Sequence, residues 1–208
     1  MNCRSGSGRQ DPRQPAMVVK TSRADKNRWM PTIRAADQPG DRARITHIDT
    51  SFQTNRIYRV TADPAGFRLQ EEPAHPPRVK TYPVPHENLG EDLVVAQHHG
   101  ELIGFGEVIF EPWNRRVTIA HLYVSPSSRG LGIGTAILEA LDRRARTSGA
   151  RCLWLETQNI NDPAIQFYRR SGFRLCGLDD TLYDPERDPT TSSGRGSALL
   201  HAPILTLR

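Results

Sequence analysis

The stretch SSRGLGIGTAI, residues 127–137, sets Gly130, Gly132 and Gly134 within five residues and then runs straight into an apolar, helix-period pattern. Upstream, RRVTIAHLYVS (115–125) reads as a strand, ended by Pro126. Downstream, Ile137, Leu138, Leu141 and Ala145 share one helix face, and Gly149 follows where a cap would stand. The unit is strand, turn, helix. Glycines at such a turn let backbone N–H groups converge on an anion, and the helix start adds unpaired donors and the positive end of a dipole. Arg129 supplies a charge that can pair with phosphate. No Gly-Lys-Ser/Thr follows, so this is not a Walker loop, and Thr135 stands where a Rossmann turn needs its third glycine. Glycine-rich turns of this kind also arise for packing, so spacing alone leaves both readings open.

The rest of the chain supplies more strands than helices. Residues 28–37 read as a first strand and DRARITHID as a short helix. RIYRV and GFRLQEE form two strands around an Asp-Pro-Ala-Gly turn, and the proline-heavy segment 73–85 reads as an irregular connection. Two apolar runs in 93–110 flank His99-Gly100 as a hairpin, which makes His98 and His99 exposed turn residues rather than metal ligands. After the glycine loop and its helix, 151–158 is a strand, and Asp162-Pro163 opens a helix with Asp162 as N-cap, running to Gly172. FRLCGL, a polar loop over 184–196 and a final strand in ALLHAPILTLR complete an α/β or α+β domain.

Composition narrows the function classes. With 37% hydrophobic and 25% charged residues, the 208-residue chain is ordinary for a soluble domain with a sizeable core. No run approaches the roughly 18 apolar residues of a membrane span. Cys3, Cys152 and Cys176 lack zinc spacing, and Cys152 and Cys176 sit in apolar runs as buried thiols of a reducing, cytoplasmic setting. The net charge of +5 is uneven: residues 1–34 hold eight Lys/Arg against two Asp, while the other 174 hold twenty basic and twenty-one acidic groups. Residues 1–28 therefore read as a disordered basic tail and 29–208 as the folded domain. That domain has no basic face with interleaved aromatics, so neither nucleic acid nor membrane is an expected partner. A monomer or homodimer is expected.

Taken in order, TIRAAD, LYVSPSSRGLGIGTAIL and LWLETQNINDPAIQFYRRSGF resemble the opening, the acetyl-CoA loop and the next strand and helix of the GNAT superfamily of N-acetyltransferases. More narrowly, WNRRVTIAHLYV, LETQNIN, AIQFYRRSGF and LDDTLY are similar to its streptothricin acetyltransferase branch. The resemblance implies a mixed, mostly antiparallel sheet with a central parallel strand pair splayed apart, and flanking helices. It also implies acetyl-CoA as cosubstrate, no metal, and coenzyme A pyrophosphate as the anion in the loop.

Carried over residue by residue, the resemblance puts the cofactor between 119–124 and 152–157. Backbone groups of Leu122, Tyr123 and Val124 would pair with the pantetheine arm, one N–H polarising the thioester carbonyl. Amides of Arg129, Gly130, Leu131, Gly132, Ile133 and Gly134 would take the pyrophosphate, and Asn161 and Tyr168 stand at positions the family uses. Direct attack by an amine needs a base for the ammonium and an acid for the departing thiolate. Tyr168 is the implied acid. Glu156, ending a strand twelve residues before Tyr168, is the leading base. Ala120-His121 replaces two adjacent acidic residues frequent in the streptothricin branch, which makes His121 a second candidate and Glu107 a third.

The acceptor implied is a primary amine of a small cationic molecule, since a streptothricin offers β-lysine amines. Carboxylates suited to such a cation are Glu107, Glu156 and the Asp179-Asp180 pair. A protein N-terminus or lysine is the alternative acceptor, and a non-catalytic acetyl-CoA-binding module the alternative class.

Overall fold

A computed structural model of the chain describes residues 31–37, 40–84, 89–179 and 199–206. The tail expected over 1–28 and the loop expected over 184–196 lie outside the described residues. Strands β1 (Thr32–Ala35), β4 (Leu93–His98), β5 (Glu101–Glu111), β6 (Arg116–Val124), β7 (Cys152–Gln158), β8 (Gly177–Asp179) and β9 (Leu199–Thr206) form one sheet. Their order is β1-β4-β5-β6-β7-β9-β8. Among the described residues, β6–β7 is its one parallel pair. Strands β2 (Phe52–Asp63) and β3 (Gly66–Lys80) form a separate two-stranded ribbon. The mixed, mostly antiparallel sheet implied by the sequence is the one observed.

Helices cover both faces. Helix α2 (Ile133–Thr147) buries Ile133, Ile137, Leu138, Leu141 and Ala145 against Val94, Val117, Leu153 and Leu155. Each large aliphatic side chain so buried contributes about 1.5–3 kcal/mol. Two glycines of β5 let the helix lie directly on the sheet backbone. A Cβ on Gly106 would stand 2.7 Å from Ile137 Cγ2 and 2.9 Å from Leu141 Cδ1, and one on Gly104 would stand 2.8 Å from the Tyr123 carbonyl oxygen. On the other face, helix α1 (Gly40–Ile45) brings Ile45 and the following Ile48 onto Leu93, Val95 and Phe105. Asp41, 3% exposed, fastens α1 to β1 by accepting from Arg34 at 2.5 and 3.1 Å and from the Asp37 amide at 2.6 Å.

Helix α3 (Asp162–Arg170) starts where the ribbon docks. Tyr58 of β2, 1% exposed, donates its hydroxyl proton to Asp162 at 2.9 Å and accepts from Gln166 at 2.7 Å. Arg56 pairs with the other Asp162 oxygen at 3.2 Å. Burial, and then the Asp162 carboxylate, push the Tyr58 phenol up to about 12.

Four local expectations are corrected. Segment 73–80 is strand rather than irregular connection. Its prolines are tolerated because β3 has only β2 beside it and the register jumps from Thr54↔Arg78 to Arg56↔Pro73, leaving Pro76 and Pro77 in a bulge with no ladder bond to lose. The cap of α3 is Asn161, whose side chain accepts from the Ala164 amide at 3.2 Å, because Asp162 is held by Tyr58 and Arg56. FRLCGL enters the sheet only at Gly177, and Cys176, outside that strand, is exposed while Cys152 is buried. Among the described residues no helix is long and apolar enough to cross a membrane, and no cluster of three or more His, Cys, Asp or Glu could hold a metal.

Candidate active site

The parallel seam between β6 and β7 pairs Arg116 with Cys152 and ends at Ile119 with Leu155. The next residue, Ala120, is a bulge: on β5, Val108 faces Ile119 while Glu107 faces His121. An extra residue bends its strand and increases the twist, which turns β6 away from β7 at this point. Beyond it β6 stays paired with β5 as far as Gly104↔Val124, but its other edge has lost its neighbour. The bulge also shifts the alternation. Val117 and Ile119 before it, and Leu122 and Val124 after it, all face the α2 core, while Tyr123 turns to the α1 side beside Phe105.

A cleft of about 610 Å³ opens along that free edge, bordered by Leu122, Tyr123 and Val124. The glycine loop forms one end. Gly130 (φ 77°) and Gly132 (φ 84°) adopt left-handed backbone that side-chain-bearing residues rarely take. Gly132 caps α2, and the first intrahelical bond runs from the Ala136 amide to the Gly132 carbonyl at 3.0 Å. The amides of Ile133, Gly134 and Thr135 therefore have no acceptor within the helix. Gly134 leaves room for Phe167, whose ring would lie 3.4 Å from a Cβ there. Leu131 is exposed and Ile133 is in the core, and neither belongs to the cleft lining.

Arg129, expected to pair with phosphate, lines the cleft with its side chain anchored on two carbonyls. Its amide donates to the Pro126 carbonyl at 3.3 Å, its Nε to the Val124 carbonyl at 2.9 Å and its Nη2 to the Ser51 carbonyl at 2.6 Å. The guanidinium staples the glycine loop to the end of β6 and to the segment before β2.

Helix α3 forms the facing wall with Asn161, Phe167 and Tyr168. Tyr168 packs edge-on to Phe167 and Phe173, with ring centroids 5.2 and 5.5 Å away. Burial pushes its phenol well above the ordinary tyrosine value. The α1 side contributes Phe52, Tyr82 and Tyr123. Phe52 stacks on Tyr82 at 5.8 Å, and Tyr82 meets Tyr123 at 6.1 Å. Tyr82 donates to Gln158 at 2.8 Å, tying this wall to β7. Phe52 and Tyr82 carry no signal in the sequence, since Phe52 only opens β2 and Tyr82 lies just past β3, in stretches without periodic pattern.

The three candidate bases stand differently. Glu156 is exposed, follows the last β7 residue paired with β6, is itself paired with His201 of β9, and by strand alternation shares the face of Gln158 rather than that of Leu153 and Leu155. It stands beside the cleft and is not part of its lining. Glu107 is 1% exposed; one carboxylate oxygen accepts the Gly90 amide and the other lies 3.6 Å from His121 Nε2. A Cβ on Gly90 would come within 2.7 Å of that carboxylate. Burial raises the Glu107 carboxyl and lowers the His121 imidazole, favouring the uncharged form of each. Asp179 sits on β8 at the sheet edge, away from the cleft, and Asp180 lies outside the described residues.

Comparison with known proteins identifies the family and the fold. Residues 55–173 match the acetyltransferase (GNAT) family. Over 177 residues the chain is 39% identical to streptothricin acetyltransferase of Streptomyces lavendulae, covering 80% of this chain and 92% of that protein. The crystal structure of nourseothricin acetyltransferase, 39% identical, superposes with a TM-score of 0.71 over 83% of this chain and 96% of that one. A Bacillus anthracis protein solved in complex with acetyl coenzyme A shares the fold, with a TM-score of 0.67 at 24% identity over 83% of this chain and 95% of that one.

Proposed function

The chain belongs to the GNAT family of acetyl-CoA-dependent N-acetyltransferases, and from that premise we propose that it acetylates a primary amine of a small cationic molecule of the streptothricin type. The observation that carries this reading is 39% identity to a streptothricin acetyltransferase across 92% of that protein's length.

The cleft suits coenzyme A on two features of its own. The helix-start amides beside Gly130 and Gly132 lack acceptors and converge where a pyrophosphate would sit. Beyond Ile119 the β6 edge has no β7 partner, which leaves a slot along Leu122–Val124 where an extended pantetheine arm can lie as a strand neighbour. Acetyl-CoA, bound there, supplies an acetyl group activated as a thioester. Every other step belongs to residues of the chain.

Tyr168 holds a proton at its phenol oxygen for the thiolate that leaves, and the raised pKa keeps that proton in place until it is needed. Glu156 takes the proton of the incoming ammonium from the open face of the sheet. Glu107 is too deeply buried to meet an acceptor; with His121 it forms the packed floor beneath Tyr123. The cleft amides before Thr135 fix the cofactor, and the α2 core under Leu122 and Val124 keeps water from that side of the seam.

The test is an acceptor panel with acetyl-CoA: streptothricin, free β-lysine-type amines, and peptides offering an N-terminus or a lysine. Acetylation of streptothricin or the free amines is expected. Transfer to peptides alone would move the chain to protein acetylation.

A further inference from the structure

No carboxylate borders the cleft among the described residues; its charged lining is Arg129 and Arg170. A cationic acceptor that reaches this cleft therefore meets no opposite charge in its lining. It does meet aromatic rings, Phe167 and Tyr168 on the α3 wall and Phe52, Tyr82 and Tyr123 on the opposite one. We infer that Phe52, Tyr82 and Tyr123 form the acceptor's cation subsite, holding the ammonium that does not react while a second amine of the same molecule is acetylated.

Ring faces carry partial negative charge and attract an ammonium within about 6 Å of the centroid, more strongly where water is excluded. The Tyr82 ring already meets this condition within the chain, for Lys80 Nζ lies 5.5 Å from its centroid. Phe52 is 6% exposed, and Tyr82 and Tyr123 are half-buried, so the wall is partly dehydrated. Its position is fixed from two sides: the Tyr82 hydroxyl is held by Gln158 of β7, and Tyr123 packs on Phe105 with centroids 5.4 Å apart. Gln158 lies two residues beyond Glu156 on the same strand face, so the wall and the proposed base flank one entrance. A diamine can thus lay one end on the rings and present the other to Glu156. A monoamine has only the reacting end and gains nothing from the wall.

This inference rests on the small-amine reading of the chain, and binding separates the two. Calorimetric titration of a β-lysine-type diamine and of a monoamine of matched length onto the protein without acetyl-CoA reads the subsite directly. Steady-state kinetics with both acceptors reads it in turnover. Tyr82→Leu and Tyr123→Leu are expected to weaken diamine binding and raise its KM by about tenfold. The same variants should leave the weak monoamine binding unchanged. Tyr82→Phe, which also loses the Gln158 bond but keeps the ring, should retain most of the diamine affinity. Equal losses in Tyr82→Leu and Tyr82→Phe, or equal losses for diamine and monoamine, would overturn the subsite. Ring-dependent diamine binding without turnover of any small amine would uphold the subsite and overturn the function. Turnover indifferent to the rings would do the reverse.

Discussion

Ile119 and Leu155 are the last residues to pair across the β6–β7 seam, and Ala120, one position on, is the residue that breaks the register with β5. Bulge and splay coincide, so the opening of the cleft is set by backbone geometry before any side chain takes part. The residues that then line it are assigned by which side of Ala120 they fall on.

Gly132→Val is expected to weaken acetyl-CoA binding about tenfold or more while leaving the fold intact. Its φ of 84° is left-handed, a conformation that costs a β-branched residue about 1–3 kcal/mol and is relieved by moving the loop amides. Nothing lies within 4 Å of a Cβ there, so the effect is conformational rather than a clash. Calorimetric titration with acetyl-CoA checks it; wild-type affinity would remove the glycine loop from the pyrophosphate site.

Tyr168→Phe should lower kcat by roughly 10²–10⁴-fold, the usual loss for a positioned acid, with little change in acetyl-CoA affinity. Because burial raises this phenol, the wild-type rate should show no alkaline fall from it below the ordinary tyrosine value of about 10. Full activity of the variant across the pH range would take Tyr168 out of the reaction.

Glu156→Gln should lower kcat by roughly 10²–10⁴-fold, the usual loss for a positioned base. Glu107→Gln and His121→Ala should keep most of the turnover, although both lower the melting temperature by disturbing the packed floor around Gly90. Loss of turnover in His121→Ala alone, measured with folded protein, would transfer the base role to the imidazole.

Asp41→Asn should destabilise the protein by about 2 kcal/mol through loss of a charge-assisted bond at a buried site. The Arg34 bond holds the Asp41 carboxyl below its ordinary value. The stabilisation is therefore complete above the unfolded value near 3.9 and disappears as pH falls through the lower folded one. Thermal melts of wild type and variant should converge in that acid range; a constant gap would show that Asp41 acts by packing alone.

Most elements were legible from periodicity: the hairpin at His99-Gly100, helix α2 and strand β7 follow directly from apolar spacing. Strand β3 was not, because prolines suppress strand readings and only the two-stranded setting, with its bulge at Pro76 and Pro77, makes them harmless. Asp162 looked like a cap, since nothing local tells that a tyrosine more than a hundred positions away will claim its carboxylate. The anchoring of Arg129 was hidden for the same reason, since the Val124 and Ser51 carbonyls become its neighbours only in the folded chain. The aromatic wall depended on long-range approach alone. Glu156 and Tyr168 were found through resemblance, as neither stands out by spacing.

The Ala120 bulge is one residue that the ladder with β5 does not need. With Ala120 removed, His121 would follow Ile119, the pairs Val108↔Ile119 and Glu107↔His121 would become consecutive, and Leu122, Tyr123 and Val124 would all keep the faces they have. What would be lost is the bend and extra twist that turn β6 away from β7. A single-codon deletion at position 120 should therefore narrow the cleft while every remaining side chain stays on its own side of the sheet.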